Sequence, residues 1–239
     1  MQKRHLTDDE QRRLLQAAKQ AAGPLAERDH AWMRLLIETG MRVNELATTM
    51  AAQASQALAH GWLTMRAEQR KGHGYKVEPG QPAKVAKRKP HSYMVTEPVR
   101  QCLETLLRLN AELCPLGLRA EGAAPLLWGR CGVVRGKLLA DHMSVRTLQA
   151  RMAKWAAAAG LPPGVSPHWL RHTRGVNIIK RSRGKNALKV AQIALGHESI
   201  ASTGIYTQML REDFEREMHA VAGGRMPKAK AQKLAEVRA

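Results

Sequence analysis

Residues 166–173 read SPHWLRHT. Serine is a preferred N-cap and proline is at home in the first helical turn, so Ser166 and Pro167 mark the opening of a helix. On that helix His168, Arg171 and His172 stand at i, i+3 and i+4, which puts all three side chains on one face. Paired histidines at this spacing serve as zinc ligands on helices. Here, however, Arg171 shares the face, and its fixed charge disfavours a dication. There is also no HExxH glutamate and no carboxylate partner nearby. A guanidinium with paired donors, beside the open N–H groups of a helix N-terminus, suits a phosphate better. The remaining possibility is a helix with one wet side, so the rest of the chain decides.

The composition narrows the choice. Across 239 residues there are 39 Lys plus Arg against 20 Asp plus Glu, a formal charge of +19. Such an excess points to a polyanionic partner, nucleic acid first and a membrane surface second. No apolar run approaches the ~20 residues that span a bilayer, and the opening MQKRHLTDDE lacks the apolar core of a signal peptide. The expectation is a cytoplasmic or nucleoid-associated protein with no membrane partner. Aromatic residues are only 4%, with Phe214 the single phenylalanine, so the core must rely on aliphatic side chains and alanine, which favours helices. Cys102, Cys114 and Cys131 are scattered without a CxxC and read as reduced thiols. No metal and no cofactor is expected.

Along the chain, Thr7 and Glu10 form a capping box ahead of QRRLLQAAKQ. A second helix through RDHAWMRLLIET stops at Gly40, and a third follows in RVNELATTM, so Arg42 sits at a tight helix-to-helix junction. WLTM (62–65) and SYMV (92–95) read as two short strands. The Gly-, Pro- and Lys-rich stretch between them is a hairpin excursion longer than most, and such loops tend to be functional. Helices resume with PVRQCLETLLRLNAEL. A loop with Pro125 and Gly129 then leads to SVRTLQARMAKWAAAA, capped by Ser144 and ended by Gly160. After the helix at 166 come KNALKVAQIAL, ending at Gly196, and a last helical region with TGIYTQM and REDFEREMHAV. One mainly α domain with a small antiparallel β-sheet (α+β) is expected, followed by a loose basic tail.

The phosphate reading now has company. Arg42 stands in TGMRVNEL, His197 follows Gly196 in LGH, and Tyr206 lies in TGIYTQM. Two arginines, two or three histidines, a lysine-rich hairpin and a tyrosine are what metal-free phosphoryl transfer to a protein nucleophile requires. TGMRVNEL, SPHWLRHT and LGHESIASTGIYTQM, in this order and spacing, closely resemble the motifs of the tyrosine recombinase (phage integrase and Xer) family, from about residue 6 to the helix after Tyr206.

That resemblance implies the family's catalytic-domain fold over residues 1–222, with the basic tail at 223–239 and without the core-binding domain that usually precedes it. It implies a site-specific recombinase or integrase, of the kind found on mobile genetic elements, acting on double-stranded DNA without metal or ATP. Residue by residue, Arg42 falls on the family's first arginine and Glu45 on the acidic position that supports it. His168 and Arg171 fall on the histidine-x-x-arginine pair, with His172 behind them, His197 on the next histidine and Tyr206 on the nucleophile. A hairpin lysine is implied as the acid for the leaving 5′-oxygen. Lys87 is favoured by counting back from the second strand, then Lys84 or Lys89, with Lys71 and Lys76 also in the hairpin. The helix after Tyr206 is expected to link protomers into a homotetramer on DNA, with a monomer possible in solution. The same residue set also serves type IB topoisomerases, and a non-catalytic DNA-binding regulator derived from an integrase is the other alternative.

Overall fold

The Thr7 hydroxyl accepts from the Glu10 N–H at 3.2 Å, and the Glu10 carboxylate accepts from the Thr7 N–H at 2.7 Å. With Asp8, Asp9 and Glu10 placed where the helix dipole favours negative charge, helix α1 (Asp8–Gln20) starts at once. The structure is a computed structural model that describes residues 5–70, 89–113, 124–134, 137–182 and 186–197. Pro24 opens α2 (Pro24–Thr39), and Gly40 ends it in the left-handed region at φ 69°.

The third helix, expected through residue 50, ends at Ala47. The hydroxyls of Thr48 and Thr49 donate back to the carbonyls of Asn44 (2.9 Å) and Glu45 (2.7 Å), and such back-bonding competes with helix continuation. Helix α3 (Val43–Ala47) therefore stops early. The alanine-rich run after it, whose propensity the sequence reading overlooked, forms α4 (Ala51–His60). Strand β1 (Trp62–Met65) pairs antiparallel with β2 (His91–Met94), Leu63 opposite Tyr93. The second strand begins one residue before the expected SYMV, because His91 pairs with Met65.

Helix α5 (Glu97–Leu113) follows. The tract expected as a loop around Gly129 is a second antiparallel hairpin, β3 (Trp128–Val134) with β4 (Lys137–His142), in which Val133 stands opposite Leu138. Its β-branched and apolar residues favour a strand pair, which lifts the β content without changing the class: mainly α with small antiparallel sheets. Ser144 caps α6 (Val145–Ala158), accepting from the Thr147 N–H at 3.1 Å. Ser166 and Pro167 open α7 (Pro167–Arg181), and α8 (Ala187–Leu195) ends at Gly196, φ 61°. Residues after 197, with the expected terminal helix and tail, lie outside the described residues.

The apolar core runs along α2, whose Trp32, Met33, Leu35 and Leu36 are fully buried, with α1, α5 and α7 packed on it. A carboxylate is buried with them. Asp29 accepts from the indole N–H of Trp32 (3.0 Å) and of Trp155 (2.7 Å), and Arg151 and Arg28 pair with it. This cluster bolts α2 to α6. At the far end of α2, Gly40 lets α8 approach so closely that a Cβ there would lie 2.4 Å from a Leu195 methyl. The ends of α2 and α8 thus meet beside the start of α7.

Candidate active site

The junction after α2 makes Arg42 the N-cap of α3. Its N–H donates to Glu45 Oε2 at 2.8 Å, and its guanidinium meets Glu45 Oε1 at 3.1 Å. Glu45 is fully buried and gathers two further donors, the Tyr93 hydroxyl at 2.7 Å and Arg70 Nε at 3.4 Å. Burial pushes its carboxyl pKa up, but the Arg42 N–H, the Tyr93 hydroxyl and the charges of Arg42 and Arg171 more than offset this. The result lies below the ordinary glutamate value. Glu45 is thus a fixed anion that holds the Arg42 side chain, which remains 24% exposed, toward solvent.

Arg171 is held by different means. It is 3% exposed, and its guanidinium donates to Gly40 O and to Leu195 O, both at 2.6 Å. It ties the end of α2 to the end of α8, where the helix leaves carbonyls without intrahelical donors. One turn of α7 carries His168, which is exposed, and His172, their rings edge to face at 4.5 Å. Gly196 turns the chain so that the His197 N–H donates to Gln192 O at 3.0 Å.

His197 is where these groups converge. Burial lowers its imidazole pKa most, and the charges of Arg171, Arg42, His172 and His168 lower it further, to about 4. At neutral pH it is therefore an uncharged imidazole set among cations. The fold brings Arg42, Glu45, His168, Arg171, His172 and His197 together from three separate stretches of chain. Lys87 and Tyr206, with Lys71, Lys76 and Lys84, lie outside the described residues.

Sequence reasoning missed Arg70, His91 and Tyr93. The inward side of β2 was the available signal for Tyr93, since alternation places it with Leu63 and Met65 in the core. Arg70 carries no local signal that separates it from its basic neighbours.

This arrangement suits an anion whose charge grows during reaction, with two anchored guanidiniums beside a neutral imidazole. Residues 4–213 match the Phage integrase family. The chain belongs to that family. Among its relatives, the tyrosine recombinase XerC of Neisseria meningitidis is 29% identical over 197 residues, 82% of this chain and 52% of the relative. The chain spans about half the length of the curated relatives it matches. Solved structures of recombinases share the fold. The XerA recombinase matches with a TM-score of 0.63 at 22% identity, over 93% of this chain and 64% of that one. A XerH site-specific recombinase bound to palindromic difH substrate, a post-cleavage complex, matches at 0.58 and 20% identity, over 90% and 52%.

Proposed function

We propose that this chain is the catalytic domain, over residues 1–222, of a site-specific recombinase that cleaves and rejoins double-stranded DNA. The observation that carries the reading is the pair of anchored arginines, Arg42 on Glu45 and Arg171 on two backbone carbonyls, converging with His168 and His172 on His197 in a phage integrase family chain. The charge of +19 fits a polyphosphate partner. An open cleft of about 740 Å³ beside α6, lined by His142, Arg146, Arg151 and Lys154 among others, adds basic surface. Among the described residues no helix is long and apolar enough to cross a membrane, and action in the bacterial cytoplasm, on the nucleoid, is part of the proposal.

The chemistry follows from the residues. Tyr206 attacks a DNA phosphorus, its phenol proton passing to His168, and forms a 3′-phosphotyrosyl bond as the bond to the 5′-oxygen breaks. Tyrosine's ordinary pKa of about 10 makes this step slow unless positive charge stabilises the developing anion. Arg42 and Arg171 supply that charge, and the neutral His197 donates a hydrogen bond to a non-bridging oxygen. Each such preorganised contact is worth about two to three orders of magnitude in rate. The 5′-oxygen takes a proton from a hairpin lysine. Lys87 remains the proposed donor, with Lys84 or Lys89 its rivals. Attack by a 5′-hydroxyl of another duplex reverses the step. The helix after Tyr206 is proposed to pass to a neighbouring protomer in a homotetramer on DNA, with residues 223–239 as a basic tail.

The test uses nicked duplexes tiled from the DNA flanking the gene, in which the freed 5′ end diffuses away and a covalent adduct accumulates. Wild type is expected to give an adduct on a denaturing gel, and Tyr206→Phe none. Tight binding without adduct by wild type would overturn the cleavage reading. Relaxation of any supercoiled plasmid, without site preference, would point to topoisomerase activity instead.

A further inference from the structure

The chemistry above leaves Arg70 without a role. Arg70 is 5% exposed, and its guanidinium is spread over acceptors from three segments. Nε faces Glu45 Oε1 at 3.4 Å, Nη1 donates to Lys89 O at 2.5 Å, and Nη2 donates to Gly196 O at 3.1 Å. A planar fork with donors pointing in different directions can serve such a set, whereas a single ammonium cannot.

The third of these bonds completes a pattern at the end of α8. Three successive carbonyls there accept from side chains of distant segments: Ala194 from His91 Nε2 at 3.2 Å, Leu195 from Arg171 at 2.6 Å, and Gly196 from Arg70 at 3.1 Å. A helix C-terminus carries partial negative charge, so two arginines there are electrostatically favoured. The packing leaves little slack, since a Cβ on Gly196 would stand 3.0 Å from both Arg70 Nη2 and the His91 ring. The residue that follows this clamp is His197.

We infer that Arg70 is a positioning residue for strand cleavage: through Gly196 it holds His197 against the frame formed by Arg42 and Glu45. The inference rests on the recombinase reading for its chemistry, and on the clamp alone for its structure. Arg70 binds Glu45 on one side and the backbone before His197 on the other, so its guanidinium sets the distance between the first arginine and the last histidine. It also draws Arg70 and Lys89, the two ends of residues 71–88, to the same frame.

Two readouts on the full chain test this. In amide hydrogen exchange, Arg70→Gln is expected to speed exchange at Gly196 and His197 by about tenfold or more, with α1 and α2 unchanged. In the nicked-duplex trap at saturating DNA, the same variant is expected to lose about 10²-fold in adduct rate, as misplaced groups do, with affinity for the duplex within about threefold of wild type. A role exerted through His197 further predicts that Arg70→Gln adds no loss in a His197→Ala background, because residues acting as one unit are not additive. Arg70→Lys keeps the charge but not the fork and is expected to fall between; it replaces the glutamine variant if that one does not fold. Unchanged exchange at His197, an unchanged adduct rate, or a loss fully additive with His197→Ala would each overturn the inference. Absence of adduct from wild type would strike the recombinase reading instead, and the exchange result alone would then decide for or against the clamp.

Discussion

Among the described residues two carboxylates are fully buried, Asp29 in the body of the core and Glu45 at its edge. Both accept hydrogen bonds from an aromatic side chain, and both pair with two arginines. Yet they differ in where those partners lead. Asp29 is enclosed by Trp32, Trp155, Arg28 and Arg151, which join α2 to α6. Glu45 is bonded to Arg42, whose side chain reaches solvent, and to Arg70, whose other bonds lead to the residue before His197. A buried charge is therefore no mark of catalysis in itself. What distinguishes the second cluster is that the charge of Arg42 bears on the half-buried imidazole of His197, while Arg70 donates to the carbonyl just before it.

The comparison can be broken most forcefully at Asp29. Asp29→Ala leaves Arg28 and Arg151 facing a buried gap, and removal of one partner of a buried pair costs about 3–5 kcal/mol. The urea midpoint should fall accordingly with an unchanged slope; a midpoint close to wild type would show that the cluster does not bind α2 to α6.

Glu45 is expected to cost less and to act through pH. Its folded-state pKa lies below the ordinary 4.5, so the stability it contributes is present above that value and is lost as pH falls through the folded value. Glu45→Gln removes this term and, with charged hydrogen bonds gone, lowers stability at neutral pH by about 1.5–3 kcal/mol. Urea unfolding at pH 6 and pH 3.5 should show a smaller acid loss in the variant than in wild type, and an equal loss would contradict the assignment.

His197 provides the subtlest contrast. Between the ordinary 6.5 and its folded value of about 4, the unfolded chain binds a proton that the folded chain refuses, so acid lowers stability through that window. Histidine-selective NMR should find its ring neutral down to about pH 5. A midpoint near 6.5 would mean that the arginines do not face it.

Much of this was legible in the sequence where a local rule governs. The capping box at Thr7, Gly40 as a left-handed stop, and Pro167 opening α7 all follow from backbone chemistry within a few residues. The early end of α3 and the β3–β4 hairpin were missed, since the first turns on threonine back-bonding and the second on a partner strand that completes the pairing. The same divide runs through the site. Arg42, His168, Arg171 and His197 sit in short motifs and could be named from them. Arg70 could not, because its importance lies in reaching Gly196, 126 positions away.

The most direct test sets the two acids against each other in the chemistry itself. Adduct formation on nicked duplex would be timed for Glu45→Gln and Asp29→Asn, each rate divided by the folded fraction measured in the same buffer. The predicted result is a fall of about tenfold or more per folded molecule for Glu45→Gln, because Arg42 loses its anchor, and a wild-type rate per folded molecule for Asp29→Asn. Equal losses in both, or a larger loss at Asp29, would mean that the cluster at the edge is no more a part of the reaction than the one in the core.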